Sequence, residues 1–174
     1  MANDRIVTCY VVNNLNDDLG RFDKAPGGGE SNSRYNGKWI DEPAANLPYG
    51  ETTKAFSINR TGATQGATGY VIYNLWFNTT TNNNTQLVLM FSNPSARHGQ
   101  GSNQNCWFYA IIQGDTTSNY DTVVSVGKNL QVKATVTGIN EETGDSWAID
   151  GLDPDNSQCD DIQVTVTLDY ITTF

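Results

Sequence analysis

The sequence predicts an all-β fold: a single-domain antiparallel β-sandwich of nine or ten strands. Three observations carry this. Apolar and polar residues alternate over most of the chain, most strictly from Ile162 to Thr172. Clusters of Gly, Pro, Asn, Asp and Ser separate the alternating runs at short intervals. Hydrophobic residues make up 37% and charged residues only 17%, so the surface is built from neutral Asn, Thr, Ser and Gln, the habit of a turn-rich β domain rather than of a helical bundle. At 174 residues the chain is long enough for one core.

Element by element, Ile6 to Val12 reads as the first strand, ended by Asn13-Asn14, and Leu15 to Phe22 as a segment pairing back on it. Ala25 to Arg34 is a Gly-, Pro- and Ser-containing loop that includes Gly27-Gly28-Gly29. No helix pattern follows those glycines, which argues against a phosphate cradle. Tyr35 to Ile40 is a short strand carrying Trp39, and Pro43 and Pro48 mark a loop. Thr52 to Ile58 is a strand with Phe56 and Ile58 on one face. Gly69 to Phe77 is apolar on both faces, with Tyr70, Ile72, Asn74 and Trp76 opposite Val71, Tyr73, Leu75 and Phe77, so it belongs at a sheet centre. Gln86 to Ser92 is its partner across the polar Thr79 to Thr85 connection. Cys106 to Gln113, the pair Thr122 to Val126 and Gln131 to Thr137, short Ser146 to Ile149, and Ile162 to Thr172 complete the set. In the last, Ile162, Val164, Val166 and Leu168 share one face. The run from about 140 to 161 reads as an acidic insertion.

The formal charge is −9, from 10 Lys and Arg against 19 Asp and Glu. That opposes nucleic-acid binding and electrostatic docking on anionic lipid. After Lys133 no Lys or Arg occurs, while nine acidic residues follow. Cys9, Cys106 and Cys159 are widely spaced with no CxxC, which argues against a zinc site; they read as small buried hydrophobes, with one bridge between two of them left open. The first residues show no signal-peptide pattern and no apolar run is long enough for a spanning helix, so the expectation is a soluble protein made in the cytosol, released by another route or stored as crystals. Without a secretory signal, the sequons at Asn59, Asn78 and Asn83 read as ordinary loop residues.

Ile6-Val-Thr-Cys-Tyr-Val-Val-Asn-Asn14, Gly37-Lys-Trp39, Pro48, Phe56, the Gly-x-x-Gly-x-Val-x-Tyr of 66–73, the Leu-x-Leu-x-Phe-x-Asn-Pro of 87–94, and Trp107 to Ile112 together resemble the aegerolysins. The nearest likeness is the small aegerolysin-type component of binary insecticidal toxins, and the outline is shared with actinoporin-like sandwiches. The resemblance covers roughly residues 5 to 126. It implies a two-sheet sandwich that binds a membrane lipid and joins a larger partner protein in pore formation. The chain departs from fungal aegerolysins in lacking their Trp-Asp-Cys-Pro-Trp run, of which only Cys106-Trp107 remains. It departs from actinoporins in lacking both the N-terminal amphipathic helix and the Tyr/Trp headgroup cluster, whose place Ser95 to Gln104 takes.

No catalytic set assembles. His98 is the single histidine, beside Arg97 in a polar loop, and no Ser- or Cys-based triad forms around it. The lipid- or glycan-binding candidates are Trp39, Tyr49 and Trp147, whose rings lie near loops, with Arg97 and His98. Trp76 and Trp107, mid-strand, read as core. Asp150, Asp153 and Asp155 surround a Gly and a Pro as in a calcium loop, but without EF-hand spacing or its closing Glu. A solvated acidic turn is the favoured reading and a weak oxygen-ligated Ca²⁺ site the alternative, so no other cofactor is expected. The leading expectation is therefore a non-enzymatic, lipid-recognising toxin or defence protein. A lectin-like glycan-binding module and a self-assembling, crystal-forming structural protein are the alternatives, and homo-oligomers fit either.

Overall fold

The computed structural model describes residues 5–27, 35–61, 66–75, 85–93, 107–113, 120–121, 123–127, 130–140, 146–148 and 161–172. These form two sheets, the β-sandwich expected. The first half of the chain supplies β1 (Val7–Asn13), β2 (Leu19–Ala25), β3 (Lys38–Asp41), β4 (Asn46–Leu47), β5 (Thr52–Asn59) and β6 (Ala67–Asn74). The second half supplies β7 (Gln86–Asn93), β8 (Trp107–Gln113), β9 (Tyr120–Asp121), β10 (Val123–Gly127), β11 (Leu130–Asn140), β12 (Ser146–Ala148) and β13 (Ile162–Thr172). One sheet runs β10-β11-β13-β1-β5-β3 with β12 beside β11; the other runs β4-β2-β6-β7-β8-β9.

Ten of the described strands have four residues or more, in line with the nine or ten expected; the two- and three-residue pieces β4, β9 and β12 are too short to leave a periodic trace in sequence. Two pairings differ from the expectation. The Leu15 to Phe22 segment does not return to β1; β2 begins at Leu19 and pairs with β6 and β4 in the opposite sheet. Among the described residues all ladders are antiparallel except β1 with β13, which run parallel from Val7↔Ile162 to Asn13↔Leu168. This pair closes the first and last strands side by side in the middle of their sheet.

Alternation fills the core as read. Val7, Cys9 and Val11 of β1, Val71 and Tyr73 of β6, and Ile162, Val164, Val166 and Leu168 of β13 are all buried. Phe56 links the layers, its ring 5.2 Å from Phe91 on β7 and 6.5 Å from Phe108 on β8. Phe56 and Ile58 share the inner face, Ser57 is buried on the other face beside the Thr8 hydroxyl (3.2 Å), and Ala55 is buried directly next to Phe56. A bulge explains the Ala55–Phe56 step: Cys9 pairs with Phe56 and Tyr10 with Lys54, so Ala55 is the extra residue. Trp107 departs from the core expectation. It is half-buried with its ring 5.4 Å from Tyr109, while Phe108 between them points inward.

Among the described residues no helix is long and apolar enough to cross a membrane. Cys9 is a free, buried thiol, and burial pushes it well above the usual range, so it behaves as a small apolar side chain. Cys106 and Cys159 lie outside the described residues.

Candidate functional site

One lateral margin of the sandwich concentrates the exposed apolar groups. Here β4 and β2 end one sheet and β3 ends the other. The large hydrophobic side chains exposed among the described residues are Phe22 (62%), Ile40 (54%) and Tyr49 (60%), and all three belong to this margin. Phe22 and Ile40 have the same local cause. Arg21 pairs with Tyr73 and Asp23 with Ile72, leaving Phe22 as an extra residue; Trp39 pairs with Ile58 and Asp41 with Ser57, leaving Ile40 as one. A bulge re-aims its side chain. Each apolar residue is thereby presented outward, Ile40 on the edge strand β3 and Phe22 on the part of β2 beyond its two-residue pairing with β4.

The 42–45 segment ties these edges together. The Arg21 guanidinium donates to the Pro43 carbonyl, and Lys24 pairs with Glu42. Arg21 N–H donates to Ala45 O (3.0 Å) and Ala44 N–H to Ala55 O (2.8 Å). The Tyr73 hydroxyl donates to Ala44 O at 2.8 Å, and burial pushes that phenol well above its usual range. The surface around Phe22 and Ile40 therefore carries both signs: Arg21, Lys24 and Lys38 with Asp23, Asp41 and Glu42. Lys54 bonds Asp41 (2.7 Å), and this hydrogen bond raises the lysine above its usual range.

Tyr49 lies in an open depression of about 410 Å³ lined by Asp17, Asp18, Gly20, Asn46 and Tyr49 itself. Asp18 organises it. Its Oδ1 accepts from Tyr49 N–H at 3.0 Å and its Oδ2 from the Asn46 amide at 3.4 Å. Gly50 follows with φ +74°, a left-handed turn that suits glycine and sets the Tyr49 ring facing solvent. Beneath sits Asn13, fully buried. Its Nδ2 donates to Asp17 O and Leu47 O, both 3.0 Å, and its Oδ1 accepts from Leu15 N–H at 3.0 Å. Its backbone oxygen accepts from Gly50 N–H at 2.7 Å. The side-chain amide thus fixes the 14–18 loop and β4, and the backbone carbonyl of the same residue fixes the Tyr49 turn. Replacing Asn13 by Ala removes the acceptor of the Leu15 N–H and the donor to Asp17 O and Leu47 O. The expected loss is about 3 kcal/mol in denaturant unfolding, with faster exchange of the Leu15 amide.

The other sequence candidates fall differently. Trp39 is half-buried, its indole N–H donates to Pro26 O at 2.8 Å, and its ring lies 5.5 Å from Phe56 and 6.3 Å from Phe91. Its polar edge is used inside the fold. It lines a second, shallow opening of about 310 Å³ with Pro26, Gly27, Gly37, Lys38 and Glu42, separate from the lining of the Tyr49 depression. The Trp147 backbone lies on β12, paired with Gly138 of β11, and its side chain is outside the described residues. Arg97, His98, Asp150, Asp153 and Asp155 also lie outside them, as does most of the acidic run. Among the described residues no group of three or more His, Cys, Asp or Glu could hold a metal ion.

Phe22, Ile40, Asp17, Asp18, Asn46 and Asn13 escaped the sequence reading. For Phe22 and Ile40 a signal was present: each is a large apolar residue followed directly by Asp on a charged strand. Comparison with protein-family models and with curated protein sequences gives no match.

Proposed function

We propose that this chain is a non-enzymatic, aegerolysin-like recognition module that docks on a zwitterionic membrane surface through the β2–β3 margin. The observation that carries it is the pair of bulges that turn Phe22 and Ile40 outward from adjacent edges of the two sheets. Side chains so placed are a poor choice for stability in water and a good one for entering a lipid interface. The interspersed charges suit headgroups that carry both signs, whereas the net charge of −9 disfavours anionic lipid. The resemblance to aegerolysins adds the context: a toxin or defence system in which a larger partner protein builds the pore.

Co-sedimentation with phosphatidylcholine–sphingomyelin vesicles tests this. Fully burying a large apolar side chain contributes about 1.5–3 kcal/mol, and two partly exposed ones together correspond to roughly a 10- to 100-fold change in partitioning. The double variant Phe22→Ser, Ile40→Ser is expected to lose that much binding with its melting temperature unchanged. Adding phosphatidylserine is expected to weaken wild-type binding. Equal binding of variant and wild type, or tighter binding to anionic vesicles, would refute the proposal.

A further inference from the structure

The geometry points to a second binding site, a saccharide subsite in the depression formed by Asp17, Asp18, Gly20, Asn46 and Tyr49. It goes beyond the membrane reading, because neither Phe22 nor Ile40 lines it. Tyr49 is 60% exposed on a turn whose backbone is fixed from below, so its ring offers an apolar face for the C–H face of a sugar ring. Gly20 contributes no side chain and leaves the floor open. A volume of about 410 Å³ falls within the range of small-ligand sites, about 300–1,000 Å³.

The hydrogen-bonding inventory selects the ligand class. The two oxygens of Asp18 are held by neutral N–H donors from Tyr49 and Asn46, which orients the carboxylate while its remaining lone pairs stay open. Asn46 adds a carbonyl oxygen and a second amide proton, and Asp17 a further carboxylate. The site presents donors and acceptors side by side, as vicinal hydroxyls require. A quaternary ammonium would leave the donors unused, and one ring is not the aromatic cage such a cation favours. The same sugar chemistry arrives on a free glycan or on a glycolipid headgroup.

Saturation-transfer NMR with the methyl glycosides of glucose, galactose, mannose and N-acetylglucosamine, with phosphocholine alongside, and co-sedimentation with lactosylceramide vesicles test the inference together. Either transfer to the ring C–H protons of a glycoside or retention on the glycolipid vesicles is expected. Tyr49→Ala should reduce that signal at least 10-fold, Tyr49→Phe should largely retain it, and Asp18→Asn should weaken it. Tyr49-dependent binding of a free glycoside identifies a glycan ligand, and Tyr49-dependent binding confined to lactosylceramide vesicles a membrane-borne one. Glycoside transfer should survive in the Phe22→Ser, Ile40→Ser variant even though vesicle docking is lost, so the two readings fail separately. No glycoside or glycolipid binding, binding indifferent to Tyr49→Ala, or Tyr49-dependent transfer to phosphocholine alone overturns the inference.

Discussion

Replacing Gly69 by Ala is expected to cost about 3 kcal/mol, the upper end for overpacking a dense core. A Cβ at this position would stand 2.1 Å from the Ala25 carbonyl oxygen and 3.0 Å from Cζ of Phe91. The first contact is with backbone, so no rotamer change relieves it. Gly69 faces Phe91 across the β6–β7 ladder, and Ala25 pairs with the neighbouring Tyr70. The bare glycine is therefore what lets β2 and the Phe91 ring close on β6 together. Urea unfolding should show the midpoint falling with little change in slope. A variant as stable as the wild type would mean that β2 packs elsewhere.

Truncating Phe56 to Ala should be at least as damaging, about 3–5 kcal/mol. Phe56 is fully buried and is the ring from β5 that meets Phe91, Phe108 and Trp39 in a single aromatic cluster. Its loss opens a cavity between the layers and removes the wall against which Trp39 rests. Trp39 fluorescence should therefore shift to the red, even at temperatures where the variant remains folded. A loss below about 1 kcal/mol would show that the layers do not depend on this contact.

How far the sequence led depends on the range of the interaction involved. The strands β1 and β13 are legible because each repeats apolar residues with period two over seven or more residues, and β6 and β7 because each is a dense apolar run bounded by polar turns, both local properties. The parallel union of β1 with β13 was not, since it joins residues about 155 positions apart and leaves no local trace. The move of β2 into the opposite sheet was hidden because Gly20, Arg21, Phe22 and Asp23 follow no alternation, the bulge having broken it. Bulges hid the candidate surface for the same reason. An apolar residue that leaves the strand phase reads as an irregularity until the ladder shows that it is the extra one. Tyr49 was legible from Pro48 and Gly50, the turn residues on either side. Its partners Asp17 and Asp18 come from a loop about thirty residues earlier, brought there by the buried amide of Asn13. Trp39 is legible as a loop-proximal ring, but the use of its N–H inside the fold, on the Pro26 carbonyl, is not.

The claim on which the functional account rests is that the bulged β2–β3 margin meets the membrane. Hydrogen–deuterium exchange with and without sphingomyelin–phosphatidylcholine vesicles addresses it residue by residue. The account predicts slowed exchange on vesicle addition in peptides covering 20–25 and 38–45, with the opposite β10–β11 margin unchanged. Protection at β10–β11 instead, or none at β2 and β3 while the protein is bound, would contradict it.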